Sequence, residues 1–424
     1  MRIAIIGTGI AGNTVAWKLR DRHDITVFEA ADYIGGHTNT IDVTEKGREL
    51  AVDTGFIVFN DKTYPNFIKI LEEIGQASQA SEMSFSVHTQ DRRLEYCGSS
   101  LNGLFAQRRN LFRPSFHRMV RDILRFFREA ASDVERFGRQ LTLGEYLRAR
   151  KYSSAFVDDY LVPMAAAIWS AEPLSIFDMP AIFLVKFFEN HGLLQVQDRP
   201  QWRVIKGGSR EYVKRLSGGH RDRIRLGNPV TALRRSETGV EVTSPQGGRE
   251  IFDYVFVACH SDQALALLDD ASPEERATLG DIRYQSNEAI LHTDVSVLPS
   301  RRRAWSAWNY FLPTDDKRHV AVSYNMNILQ GLQTDETYIV TLNDDSRIAK
   351  DRIIQRIQYD HPMFTLSAMA AQKRQREINS QRTFYCGAYW RNGFHEDGVV
   401  SALAALDHFE ERLTDGQLHL RRAG

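Results

Sequence analysis

Cysteine is almost missing from this 424-residue chain: Cys97, Cys259 and Cys386 stand far apart and form no CxxC pair. A set so sparse and odd excludes a disulfide framework and a cysteine-built zinc site, and it suits a reducing cytoplasm. No metal is expected. An excess of charge of one sign is also lacking, with 54 basic residues against 54 acidic ones. No global field therefore advertises a nucleic-acid partner, and any electrostatic partner must be read by a local patch. Long hydrophobic runs are absent as well. The longest, residues 160–169, contains Pro163 and falls well short of the roughly 20 residues a spanning helix needs. The apolar start, Ile3 to Ile6, runs straight into a glycine motif and is too short for a secretory core. The expectation is a cytoplasmic protein that does not cross a membrane, with contact at the inner membrane face left open.

What remains is an ordinary globular composition, 42% hydrophobic and 25% charged with only 12 prolines. The length is too great for one small core and predicts two domains. No internal repeat or low-complexity linker divides them, so they interleave. Residues 2–6 and 25–28 read as buried parallel strands around a helix reaching about Arg20. Residues 50–59 read as extended and 65–74 as a short helix. A helical, Arg- and Phe-rich stretch covers 104–190. Strands return at 224–258 and 286–325, 349–380 reads as helical, and 383–411 reads as strand, glycine loop and helix.

Gly7-Thr8-Gly9-Ile10-Ala11-Gly12 is GxGxxG set between the first strand and its helix. The first glycine permits the tight turn, the second lets backbone approach a pyrophosphate, and the third lets the helix pack on the strand. The helix N-terminus offers N–H groups and a positive dipole end to phosphate. Glu29 closes the second strand, where a carboxylate accepts ribose hydroxyls. These residues predict a bound dinucleotide.

Gly35-Gly36-His37-Thr38 follows the acid by six positions, and Asp53-Thr54-Gly55 comes after it. Here the chain resembles the flavin-containing amine-oxidase-like superfamily, which includes monoamine oxidases, phytoene desaturases and protoporphyrinogen oxidase. In that family a Gly-Gly-Arg element approaches the FAD pyrophosphate; this chain has His37 in place of the arginine. The closing segment also resembles the family's second flavin motif. It runs from Thr383 through Gly387 and Gly393-Phe394-His395-Glu396-Asp397-Gly398 into a helix from Val399. One departure is Ala388, where many relatives carry an acid. Val230 and residues 254–258 resemble the segment covering the adenosine, and 202–216, with Gly207-Gly208, has the family look. The resemblance spans almost the whole chain and is strongest at 1–60 and 380–411.

It implies an α/β fold with an α+β substrate part: a Rossmann-like FAD-binding domain of the glutathione-reductase/amine-oxidase type, an interleaved substrate domain and a helical insertion. The expected segments are 1–75, 201–265 and 381–424 for FAD, and 76–200 and 266–380 for substrate. The cofactor expected is non-covalent FAD, since Cys386 does not sit where relatives attach flavin. Its expected contacts are Gly7, Gly9, Ile10, Ala11, Gly12, Glu29, Gly35, Gly36, His37, Thr38, Val230, Gly387, Glu396, Asp397, Gly398 and Val399.

The chain is most similar to a bacterial subgroup of predicted FAD-binding proteins carrying GGHT, VDTGFIVFN and EDG. That subgroup is associated with cyclopropane-fatty-acyl-synthase-like methyltransferases. The resemblance implies a fatty-acyl desaturase or dehydrogenase of methyl-branched chains, on the way to furan fatty acids. An amine oxidase is the first alternative, and a non-catalytic flavoprotein in a lipid-modifying complex is the second.

Candidate catalytic residues are Tyr389, Trp390 and His395. The two aromatics face substrate or flavin, or pack. His395 and Glu396 accept a proton, or serve as caps. The aromatics Trp305, Trp308, Tyr310 and Phe311 wall the substrate domain or fill its core.

Seven arginines lie between 108 and 128, with Asp122 the lone acid. On a helical wheel over 114–128, Phe116, Met119, Val120, Ile123 and Phe127 share one face, and Arg118, Arg121, Arg125 and Arg128 lie opposite. Such a helix docks on an anionic membrane or packs on the core with a solvated arginine face.

Overall fold

The structure is a computed structural model. It describes the whole chain except residues 92, 138–140, 170–171, 196, 314–320, 345, 380–381 and 424, with side chains described to residue 414. The β-branched strand Arg2–Ile6 lies at the centre of a five-stranded parallel sheet. Across that sheet the strands run Ile224–Arg225, Asp24–Phe28, Arg2–Ile6, Tyr254–Val257 and Thr383–Tyr385. Ile3 pairs with Ile25 on one side and Tyr254 on the other. Helices Ile10–Leu19 and His395–Ala423 cover one face. The strands Ala232–Arg235, Val240–Ser244 and Gly248–Phe252 form an antiparallel meander beside the sheet.

The second layer is a seven-stranded mixed sheet. Its order is Ile353–Pro362, Tyr284–His292, Ile339–Leu342, Ala321–Asn325, Trp308–Leu312, Phe85–Thr89 and Glu95–Cys97. The sequence predicts helix over 349–380, yet Ile353–Pro362 is an edge strand, and helices occupy only Leu366–Gln372 and Gln375–Ile378. Ile357 and Tyr359 share a face at period two, and nine residue pairs with Tyr284–His292 override a weak helical propensity. Tyr310 is buried in an interior strand of this sheet, and the ring of Trp308 meets Tyr324 edge-on at 5.2 Å.

The 104–190 stretch is helical. Pro114–Phe137 is a 24-residue helix, with Phe116, Met119, Phe126, Ala130 and Val134 buried and Val120, Ile123 and Phe127 packed against the same core. Its apolar face is thus spent on the protein. Arg125 lies over the Tyr152 ring at 4.0 Å, and Arg128 pairs with Glu129 at 2.7 Å. Among the described residues, no helix is long and apolar enough to cross a membrane.

One buried ion pair links the meander to the parallel sheet. Glu275 accepts hydrogen bonds from Arg235 (Nη2, 2.8 Å) and from the Tyr385 hydroxyl (2.6 Å). Glu275→Ala leaves Tyr385 without its acceptor and Arg235 with Asp270 as its remaining acid, and is expected to cost about 1–3 kcal/mol. A urea unfolding midpoint within experimental error of the parent would contradict that.

Candidate flavin site

The fingerprint glycines do what their positions require. Gly7 sits at φ +100°, a conformation side chains rarely adopt, and a Cβ on Gly12 would lie 2.0 Å from the Gly7 carbonyl oxygen. Gly9 is different. Its backbone is ordinary (φ −62°), and a Cβ there would meet nothing within 4 Å. No side chain caps the helix that begins at Ile10.

Thr8 links the neighbouring loops. Its N–H and hydroxyl donate to Glu29 Oε2 at 2.8 and 2.5 Å, and the Gly35 N–H donates to its hydroxyl at 3.2 Å. Glu29 Oε1 accepts from the Ala31 N–H at 2.8 Å. Gly36, at φ +58°, turns toward Gly9, and a Cβ on it would stand 3.2 Å from the Gly9 Cα. The Asn228 N–H donates to the Glu29 carbonyl, which brings the segment leading to Val230 to the same strand end.

His37 enters a cluster that spacing could not reveal. Its ring stacks on Tyr359 at 5.0 Å and lies 5.4 Å from His361 and 6.0 Å from His260. Burial, then the neighbouring imidazoles, hold His37 well below its ordinary pKa, and burial brings His361 down to about 4. Among the described residues no group of three or more His, Cys, Asp and Glu side chains could hold a metal ion.

The closing helix starts at His395, four residues before the expected Val399. It meets the fingerprint helix where Gly398 leaves no room: a Cβ would sit 2.6 Å from Ile10 Cγ2. Two helix N-termini, from opposite ends of the chain, converge there. Their dipoles favour an anion, and Val399 packs in one cluster with Ile10.

The side chains of this segment turn inward. His395 Nε2 contacts the Tyr212 hydroxyl at 2.7 Å and the Thr38 hydroxyl at 3.1 Å, and its ring stacks on Phe56 at 3.4 Å. Burial pushes His395 to about 3, so the imidazole is neutral. Glu396 caps a different helix, Pro65–Glu73. Its Oε1 accepts from the Asn66 N–H at 3.1 Å and side-chain amide at 2.6 Å, and its Oε2 from the Phe67 N–H at 2.9 Å. Asp397 accepts from the Phe394 N–H at 2.9 Å, and burial raises it to about 7. Glu396→Ala is expected to lower stability by about 1–3 kcal/mol through the lost cap, with flavin retained. Loss of flavin without a drop in melting temperature would show that this carboxylate serves the cofactor instead.

Tyr389 and Trp390 are buried, with their rings 5.1 Å apart, and among the described residues the Tyr389 hydroxyl and Trp390 Nε1 have no hydrogen-bond partner. Gly387 stands tight against the Tyr389 ring. Cys386 is fully buried, which pushes its thiol pKa up.

Asp53 is a buried junction the motif reading left without a role. It accepts from the Thr40 hydroxyl (2.6 Å) and from the Ser209 N–H and hydroxyl (both 2.8 Å), beside Gly208. Thr8, Phe56 and Tyr212 were likewise missed as site residues. The signal for Thr8 is its place inside the fingerprint, and Phe56 and Tyr212 lie inside VDTGFIVFN and 202–216, the stretches that carry the family resemblance.

An open glycine face, two converging helix N-termini and two unpartnered buried donors fit a dinucleotide flavin, and together they define the class: a flavoprotein of the two-sheet dinucleotide-binding type. Residues 10–300, more than half of the chain, match the flavin containing amine oxidoreductases, and the chain belongs to that family. Its cofactor is FAD. Several solved structures share the fold. Cyclohexylamine oxidase from Brevibacterium oxydans IH-35A is 17% identical (TM-score 0.68), with 97% of this chain and 99% of that chain covered. Putrescine oxidase bound to putrescine is 15% identical (TM-score 0.66), with the same coverage. The CLA-producing fatty acid isomerase from P. acnes is 15% identical (TM-score 0.65), covering 96% and 98%. Comparison with curated protein sequences gives no match.

Proposed function

We propose that this protein is an FAD-dependent desaturase or dehydrogenase of fatty acyl chains, methyl-branched chains of membrane lipid above all. An aromatic wall against the closing segment carries the reading. Phe187 lies 4.7 Å from Trp169 and 5.0 Å from Phe394, the residue before His395, and Phe183 stacks on Phe364 at 4.9 Å. The Trp169 Nε1 donates to the Asn392 carbonyl at 3.2 Å, which fixes the wall to the closing loop. Such a surface excludes water and holds methylenes, each worth about 0.8 kcal/mol when buried. The fatty acid isomerase of similar fold supports an acyl substrate.

When bound non-covalently, FAD would supply the two-electron oxidant that takes up a hydride from one carbon, with the proton of the neighbouring carbon passing to solvent and the double bond left between the two carbons. The fingerprint and Gly35–Thr38 would hold the phosphates, Glu29 and the Val230 segment the adenosine, and the backbone from Gly387 to Val399 the ring system. Tyr389 and Trp390 would offer their unpartnered donors to cofactor or substrate. His395 is a positioning residue, tying Thr38 and Tyr212 to the closing helix.

Oxidation of an amine is the second reading, because stacked rings also attract a cation. Anaerobic mixing with bacterial phospholipids that include methyl-branched chains separates the two. Bleaching of the flavin band at about 450 nm, with a new double bond in the recovered chain, is expected. Bleaching by amines alone, with lipids inert, would replace the proposal. A flavin that neither class reduces would leave a binding role.

A further inference from the structure

The apolar stripe of the basic helix 114–128 is spent on the protein core, with Leu124 its one exposed large hydrophobic residue, whereas the surface just before it presents several. Leu101 is 78% exposed and Phe112 87%, and they are the two most exposed large hydrophobic side chains of the described residues. Between them runs the 3₁₀ helix Arg108–Phe112. With three residues per turn, positions i and i+3 eclipse, so Arg108 lies in line with Leu111 and Arg109 with Phe112. Each basic residue thus has an apolar neighbour on its own side.

Arg108 donates to Asn102 Oδ1 at 2.6 Å, fastening the Leu101–Leu104 helix to this turn. Beside it opens a cleft of about 360 Å³ lined by Ala106, Gln107, Arg108, Arg109, Arg301 and Arg303. Four arginines from two segments nearly 200 residues apart thus line one cleft. Arg301 is neutralised by Glu95 at 2.8 Å. Exposed Arg303, Arg118 and Arg121 have no ion-pair or hydrogen-bond partner among the described residues. Asp122, the lone acid of 108–128, is buried and donates no field outward that Arg125, 3.7 Å away, does not offset.

We infer that this face, from Leu101 through Arg121 with Arg303, docks on an anionic lipid leaflet, with the four-arginine cleft taking a lipid phosphate. The charge complementarity commits it to that occupant. Guanidinium pairs bind phosphate bidentately, and Leu101, Leu111 and Phe112 enter the acyl boundary around it. The inference deepens the acyl-chain reading by naming where the substrate is collected, but its physics does not depend on that chemistry.

The test is sedimentation of the flavin-loaded protein with vesicles of phosphatidylcholine alone, or with about one-third phosphatidylglycerol. The parent is expected to bind the anionic vesicles only, and more weakly as salt rises. Leu101→Asp/Phe112→Asp and Arg118→Glu/Arg121→Glu are each expected to lower that binding by roughly tenfold or more. Flavin content and melting temperature stay unchanged, because these side chains hold nothing in the fold. A parent that ignores anionic vesicles, or two double variants that bind as it does, would overturn the proposal. Vesicle binding without flavin reduction by lipid would remove the acyl-chain reading and leave the docking face in place.

Discussion

Gly9→Val is expected to give a folded, colourless protein. The position has φ −62° and ψ 179°, which valine adopts without strain, and nothing of the protein stands within 4 Å of its new Cβ. The added methyl groups instead fill the space above the helix N-terminus, where a pyrophosphate must reach backbone N–H groups. FAD affinity is expected to fall roughly 100-fold or more, about 2.7 kcal/mol, with the melting temperature of the apoprotein preserved. Gly12→Val is the matched control with the opposite cause. There the Cβ would lie 2.0 Å from the Gly7 oxygen and 3.2 Å from Ala258 Cβ, so the strand–helix packing itself fails. Flavin absorbance per protein and circular dichroism, measured on both, distinguish the outcomes. A yellow Gly9→Val protein with a normal flavin ratio would displace the cofactor from this loop.

Acid is expected to unfold the protein between about pH 6 and pH 4, through its buried histidines. His88, His191, His220 and His292 are all buried, and burial brings each down to about 4; His395 goes to about 3. The unfolded chain titrates these groups near 6.5, so below that pH it binds protons the folded chain refuses. Stability is whole above about pH 6.5 and falls as pH drops, by about 1.4 kcal/mol per unit for each group. Several such groups together exceed the 5–15 kcal/mol or so that holds a domain. His220 gives the sharpest test, because neither ring nitrogen has a hydrogen-bond partner among the described residues. His220→Phe removes one refusal without removing a hydrogen bond. It is expected to raise stability by about 2 kcal/mol at pH 5 relative to its effect at pH 7.5. An equal effect at the two pH values would mean that His220 is not the titrating group.

The cofactor site was legible wherever local geometry forces residue identity. Gly7 needs positive φ and Gly12 must admit a carbonyl at van der Waals range, and both demands act within six residues. Glu29 follows from strand length, and the closing helix from a glycine loop. Side-chain direction was not legible. Whether Glu396 faces a flavin or the end of helix Pro65–Glu73 depends on a partner 330 residues away, and His395 meets Thr38 across 357.

The basic amphipathic helix shows the same division. Its periodicity in 114–128 fixed a helix with an apolar stripe, and nothing in that period says whether the stripe meets lipid or protein. The tertiary structure spends it on the core, and the exposed apolar residues fall on the preceding turn instead. Likewise, Ile353–Pro362 became a strand only because Tyr284–His292 offered an unpaired edge.

By itself, then, the sequence determined a dinucleotide-binding βαβ unit, a flavin-closing segment and a helical insertion. The first rests on contacts between near neighbours, whose loop-closure cost is small, and the closing segment on its resemblance to the family's flavin motif. Only the tertiary structure decided the histidine cluster at His37, the inward turn of His395 and Glu396, and the four-arginine cleft. Those depend on which distant segments pack together, and periodicity carries no record of a partner that lies hundreds of residues along the chain.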